Sequence, residues 1–147
     1  PVYGVKAATS TDGVHWVRLP DLCLPPVLDG ECQANPSVLR IGGEYRMWFA
    51  FRGISDYRGE GQGSYRIGFA RSSDGVHWAR DDSAAGLDVG SASWEDQMVC
   101  YPYVVEDNGR ILMFYNGNSF GQGGIGVAEW VDRTLEPQEE TSQDSVR

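Results

Sequence analysis

No apolar run in this chain approaches the ~20 residues that a membrane-spanning helix requires, and no basic-then-apolar leader is present, so no membrane partner is expected. Basic charge is scarce: 12 Lys and Arg stand against 21 Asp and Glu, a net charge of -9. Phosphate binding needs a basic face, which argues against a nucleic-acid partner. Cysteine is scarce too. Cys23, Cys32 and Cys100 form neither an even disulfide framework nor a zinc-type spacing, so reduced thiols in a cytoplasmic protein are expected, with a leader upstream of Pro1 left open. No metal and no cofactor are expected. Nor does any window show the 3.6-residue apolar stripe of a long helix.

What the chain has is repetition. Tyr3 to Trp16 returns 62 residues later as Tyr65 to Trp78, with eight of fourteen positions identical and an Asp-Gly-Val-His-Trp ending in both copies. Asn35-Pro36-Ser37-Val38 followed by Gly43 to Phe49 is answered by Tyr101-Pro102-Tyr103-Val104 followed by Gly109 to Tyr115. A third partial copy, Gly124 to Trp130, stops before its Asp-Gly turn.

Each unit holds short runs rich in Val, Ile, Phe, Tyr and Trp, punctuated by Gly, Asp and Asn. Asp-Gly between two such runs is a tight-turn signal, because Gly takes positive φ without steric cost. The spacing predicts four strands in the complete unit: Pro36 to Arg40, Tyr45 to Phe51, Tyr65 to Ser72 and His77 to Arg80. The predicted fold is therefore all-β, with about two four-stranded antiparallel blades of a β-propeller over residues 1–130. An open β-solenoid would need shorter and more uniform turns, and a β-sandwich would not require this repeat. Residues 131–147, with five acids and two bases, read as a solvated, disordered tail.

Two blades are fewer than the roughly four to eight of a whole propeller. The expectation is a partial propeller, completed by the remainder of a longer protein or by copies of itself in a homo-oligomer.

The order Ser-x-Asp-Gly-x-x-Trp, Pro-x-Val and Gly-x-Tyr-x-Met-Trp-Phe resembles the blades of five-bladed propeller glycosidases, glycoside hydrolase families 32 and 43 and the related family 130 phosphorylases. The stretches that carry it are Tyr45 to Gly53, Tyr65 to Ala70, Tyr101-Pro102 and Met113 to Asn118, and an uncharacterised glycosyl-hydrolase-like branch is the nearer match. The resemblance implies a carbohydrate ligand and glycosidic-bond hydrolysis in a central funnel. The repeated turn is one residue shorter than a sialidase Asp-box. Asp12, Asp74, His15 and His77 recur with it, so they are assigned to the fold.

Hydrolysis of a glycoside uses two carboxyl groups, one protonated and one ionised, flanking the scissile bond. The resemblance makes Glu31, in Gly30-Glu31-Cys32, the candidate general acid. Glu95 and Asp96 hold the corresponding place before the next inner strand and are the candidates for the opposing carboxylate. The branch implies an acid where Gln97 stands and an Arg where Asn35 stands, so a non-catalytic module that binds sugar or assembles with a protein, or a truncated remnant, is the alternative. Both Gln97 and Asn35 remain candidates to hydrogen-bond sugar hydroxyls.

Arg52 and Arg66 are candidates to receive an anionic group on the sugar, with Asp56, Tyr57 and Arg58 at the rim between them. Tyr57, Trp94 and Tyr101 are candidates to stack on sugar C–H faces, and Asn116, Asn118 and Phe120 to line the same mouth.

Overall fold

A computed structural model describes residues 2–58, 61 and 63–131. In chain order the elements are β1 (Lys6–Thr9), β2 (Val17–Leu22), β3 (Cys32–Ile41), β4 (Glu44–Arg52), β5 (Arg66–Ser72), β6 (Ala79–Arg80), a 3-10 turn (Asp82–Ala84), β7 (Cys100–Asp107), β8 (Arg110–Asn116), a short helical turn α1 (Asn118–Gly121) and β9 (Ile125–Glu129). The strands form three antiparallel sheets, β1-β2, β3-β4-β5-β6 and β7-β8-β9. The all-β expectation of blade-like sheets holds, and the predicted four-stranded unit is the sheet β3–β6. Among the described residues no helix is long and apolar enough to cross a membrane. The tail expected at 131–147 falls, beyond Val131, outside the described residues.

The observed strands differ from the predicted ones for local reasons. Strand β3 begins at Cys32, four residues before Pro36, because a bulge between Ala34 and Ser37 carries the pairing past the proline. Proline has no N–H to give a ladder, so the ladder breaks around it. Asn35 absorbs the break at φ 49. The sheet β7-β8-β9 repeats the device between Cys100 and Tyr103, with Tyr101 at φ 55.

Strand β6 starts late because the Asp-Gly motif closes as a side-chain-capped turn. Asp74 Oδ1 accepts from the backbone N–H of Val76 and His77, both at 2.8 Å. Its Oδ2 lies 2.7 Å from His77 Nδ1, and Trp78 Nε1 donates to the Gly75 carbonyl at 3.2 Å. Asp12, Val14, His15, Trp16 and Gly13 repeat the set at the same distances. The motif builds turns, as its repetition implied.

The sheets stack face to face. Side chains alternate across a strand, so Trp48 of β4 faces one way and Met47 and Phe49 the other. Trp48, Ile67 and Phe69 meet Val99, just before β7, and Val104, Met113 and Tyr115 of the next sheet, where Val104 N–H donates to Ser37 Oγ at 2.8 Å. Met47, Phe49 and Ala70 meet Val5 and Leu24 on the opposite side. Gly68 and Gly126 lie in register with Phe49 and Tyr115. A Cβ at either glycine would run into the neighbouring ring, so each aromatic lies across the strand beside it.

Candidate functional site

Antiparallel order fixes which residues share an end. The starts of β3, β5, β7 and β9 and the ends of β4 and β8 fall together, while the Asp-Gly turns and the Gly42-Gly43 and Asn108-Gly109 hairpins lie at the other end. Every candidate residue named from sequence belongs to the first end or its loops.

The centre of that end is a cup of aromatic rings. Tyr65, at the entry to β5, makes edge contacts with Tyr57, Tyr101 and Phe120 at centroid distances of 6.2, 5.6 and 5.6 Å. Tyr101 and Phe120 stack on each other at 6.2 Å. Both have left-handed backbone, φ 55 and 60, as does Ser119 at 53. Bulky residues rarely adopt this conformation, and such outliers gather at functional sites. Tyr3 closes the cup, its hydroxyl 3.4 Å from that of Tyr65.

Beneath the rings lies Arg52, only 7% exposed. Its guanidinium carbon sits 3.9 Å from the centroid of Tyr57, 5.4 Å from Tyr3 and 5.8 Å from Tyr65. Nε donates to the Tyr65 hydroxyl at 3.2 Å and Nη1 to the Gly53 carbonyl at 2.8 Å. The hydrogen bond to Tyr65, with burial, raises the pKa of Tyr3; burial chiefly raises that of Tyr65. Both phenols therefore keep their protons. Arg58 lies over the other candidate rim residue, its guanidinium 5.2 Å from the Tyr57 centroid, and Asp56 is exposed beside them.

Glu31 is buried at the same end, immediately before β3. Its Oε1 accepts from Arg80 Nη1 at 2.6 Å and Gln33 Nε2 at 2.8 Å; its Oε2 accepts from the N–H groups of Val27 and Leu28 at 3.0 and 3.2 Å. The side chains of Arg80 and Glu31 are 4% and 0% exposed. Burial pushes the Glu31 pKa up, but the hydrogen bonds from Arg80, Gln33 and Val27 outweigh it and hold the carboxyl below its ordinary range. Arg80 spans the sheet from β6, packed over the rings of Phe49 and Phe51 at 5.0 and 4.8 Å, and also pairs with Asp82. The chemistry of Glu31 in this geometry is that of an ionised anchor.

The second carboxylate cluster is more open. Asp96 is exposed, with Oδ1 accepting from Asn118 Nδ2 at 2.7 Å. Glu95 Oε2 accepts the Tyr115 hydroxyl at 2.6 Å; burial and then this carboxylate push the Tyr115 pKa up to about 12. Asn118, read from sequence as a ligand contact, is the clamp of this loop. Its Oδ1 takes the N–H groups of Gln97 and Met98, both at 3.0 Å, and its Nδ2 also reaches the Ser93 carbonyl.

The remaining candidates divide between the cup and its supports. Trp94 stacks on Tyr115 at 5.8 Å. Arg66 pairs with Asp88 at 3.1 Å and donates to the carbonyls of Tyr65 and Gln97, so it braces the loop. Asn116 donates to the Phe120 carbonyl at 3.1 Å, supporting the strained turn. Asn35 is exposed in the bulge equivalent to that of Tyr101. Sequence reasoning missed Tyr3 and Tyr65 as site residues, although both open the repeated segment, and it missed Arg80. Among the described residues no three His, Cys, Asp or Glu side chains gather as a metal site.

A cleft of about 560 Å³ between the stacked sheets is lined by Trp48, Ala85, Leu87, Val104 and Trp130 among others. Its walls combine core side chains such as Trp48 and Val104 with the exposed Arg71 and Glu129, and none of the sequence candidates lines it.

No protein-family model matches the sequence. Two curated relatives, the uncharacterized proteins MT1551 and Rv1502 from two strains of Mycobacterium tuberculosis, are each 35% identical over 125 residues, 84% of this chain and 39% of theirs. The chain thus spans about two fifths of the length of these relatives. Among solved structures, a protein described as a glycoside hydrolase superposes on 83% of this chain with a TM-score of 0.63 and 26% identity, over 34% of its own length. Another, described as a complex of BT0996 and RGII, covers 95% of this chain and 37% of its own at 0.64 and 25%. Zg3597, a family 117 glycoside hydrolase of Zobellia galactanivorans, covers 67% of this chain and 35% of its own at 0.51 and 15%, a likeness of fold alone. The chain is thus similar in structure to part of these proteins, two of which are described as glycoside hydrolases.

Proposed function

We propose that the stacked sheets are blades of a glycosidase-like β-propeller, and that the protein takes a carbohydrate into the tyrosine cup and hydrolyses a glycosidic bond there. The observation that carries this reading is the convergence of Tyr57, Tyr65, Tyr101 and Phe120 at one end of two sheets, two of them in strained backbone. Sugars offer flat C–H faces to such rings while their hydroxyls stay hydrated.

Of the three carboxylates named from sequence, Asp96 fits the chemistry best. It is exposed and oriented by Asn118, and its second oxygen has no partner among the described residues. Glu95 is engaged by Tyr115, and Glu31 is consumed by its four donors. The opposing carboxyl group then comes from elsewhere in the assembled protein. A separation near 5 Å would favour retention and roughly 6.5 to 9.5 Å inversion.

The test is a panel of aryl glycosides and oligosaccharides with the wild-type protein, Asp96→Asn and Tyr101→Ala. Hydrolysis is expected to fall ~10²-fold or more in Asp96→Asn, the scale of a lost acid or base, with sugar binding retained. Weaker binding is expected in Tyr101→Ala. Absence of both binding and turnover across the panel defeats the proposal.

The buried, ionised state of Glu31 favours a second reading, a non-catalytic carbohydrate-binding propeller. Binding without turnover of any member of the panel, in wild type and Asp96→Asn alike, selects it.

A further inference from the structure

One buried cation in this acidic chain has no counter-ion among the described residues. The chain carries 21 acidic residues, and its other buried or half-buried arginines are paired: Arg80 with Glu31 and Asp82, Arg66 with Asp88, Arg46 with Glu44. Arg52 is 7% exposed, yet no carboxylate among the described residues pairs with it. Nε and Nη1 are bonded to neutral oxygens, and its further polar neighbours are the phenol of Tyr3 and the side chain of Cys32.

Removing a guanidinium from water without a counter-charge is unfavourable. The faces of Tyr57, Tyr3 and Tyr65 offset part of that cost, and they are also the walls of the cup. Arg58, at its rim over Tyr57, likewise has no carboxylate partner among the described residues.

We infer that the cup receives a sugar bearing a carboxylate, a hexuronate unit, with Arg52 as its counter-charge. This rests on the carbohydrate reading above and adds the class of sugar. The Tyr65 hydroxyl is engaged by Arg52 Nε and by Tyr101, whereas the 3.4 Å contact of the Tyr3 hydroxyl with it is a long one, so the Tyr3 hydroxyl can turn to a ligand. A planar carboxylate over this point accepts from Nη2 and from a tyrosine hydroxyl together. Charge-assisted bonds of this kind are about twice as strong as neutral ones. The ring of the same sugar unit then lies against Tyr57 or Tyr101. Arg66, a sequence candidate for the same task, is excluded from it by its bond to Asp88 and two backbone carbonyls.

The test is titration of the chain with galacturonic acid, galactose, glucuronic acid, glucose and galactose 6-sulfate at physiological salt, followed by protein NMR shifts. Each uronate is expected to bind about tenfold more tightly than its neutral hexose, against the repulsion of a net charge of -9 and in line with the strength of charge-assisted bonds. Arg52→Met is expected to bring the uronates down to the hexoses, and Arg52→Lys to keep part of the preference. Should Arg52→Met fail to fold, Tyr3→Phe, which deletes one hydroxyl from a half-exposed residue, is expected to lower uronate affinity a few-fold and leave the hexoses unchanged.

Equal binding of uronate and hexose overturns the inference and leaves the carbohydrate reading standing. Binding of no sugar at all defeats both. A preference that persists unchanged in the Arg52 and Tyr3 variants overturns Arg52 as the anchor. Equal binding of the sulfate ester and the uronates overturns the carboxylate in favour of any anionic sugar.

Discussion

Arg80 holds two carboxylates and lies over two phenylalanine rings, so its environment is complete only while Glu31 is ionised. Removing one partner of a buried pair leaves a charge uncompensated, at about 3–5 kcal/mol. Because Asp82 remains, Glu31→Gln is expected near or below the low end of that range, read as a shift of the urea unfolding midpoint. The Glu31 pKa is depressed by the folded state, so its contribution is present above the ordinary Glu value of about 4.3 and is lost as pH falls through the folded value. A Glu31→Gln chain as stable as wild type at pH 7 would remove the anchor role. His77 shows the opposite sign. Its hydrogen bond to Asp74 raises its pKa, so the stabilisation is present below the ordinary value of about 6.5 and disappears as pH rises through the raised one. An NMR titration is expected to place His77 above that ordinary value, and Asp74→Asn to bring it back. The turn of His77 was legible in sequence because all its partners lie within six residues. The Glu31–Arg80 pair was not, because 49 residues separate its members.

At the scale of elements, the strands were legible because each is short, apolar and closed by glycine or Asp-Gly. The two bulges were not, because the proline inside each reads in sequence only as one more repeated position. They matter to the site, since the second turns Tyr101 into left-handed backbone beneath Phe120. The helical turn α1 was also illegible: its conformation follows from Asn118, which takes the N–H groups of Gln97 and Met98 from another loop. Asn118→Ala leaves these groups without their acceptor, and about 1–3 kcal/mol of stability is expected to go with it. Faster amide exchange at Gln97 and Met98 would show that the loss is local; exchange unchanged there would show that Asn118 is not the clamp. Gly68 offers a complementary test, because a methyl group there enters the Phe49 ring. Overpacking of this kind costs about 1–3 kcal/mol, so Gly68→Ala is expected to melt several degrees below wild type, and an unchanged melting temperature would mean that the two strands are less closely apposed.

In the whole molecule the repeat extends from sequence to packing faces. Ser37, Trp48 and Phe69 form one cross-strand row, buried against the next sheet, and Tyr103, Phe114 and Val127 form the equivalent row one sheet further on. Trp48 is 1% exposed but Phe114 is 38%. The open row therefore has the chemistry of a face between sheets, as the expected partial propeller requires. It is a contiguous apolar surface of the kind that marks association sites, and the outer edge of β9, which no strand among the described residues pairs with, lies beside it. The isolated chain is expected to self-associate through this row, with a mass by light scattering that rises with concentration. Phe114→Glu is expected to lower that mass while leaving the circular dichroism spectrum unchanged, because the side chain points away from the buried core. If the wild-type chain stays monomeric at concentrations near 100 µM, the row is not adhesive alone and the expectation of a homo-oligomer fails. If it associates and Phe114→Glu associates equally, the contact lies elsewhere, and the exposed apolar residues Trp16, Val17 and Leu22 of the opposite sheet become the surface to substitute next.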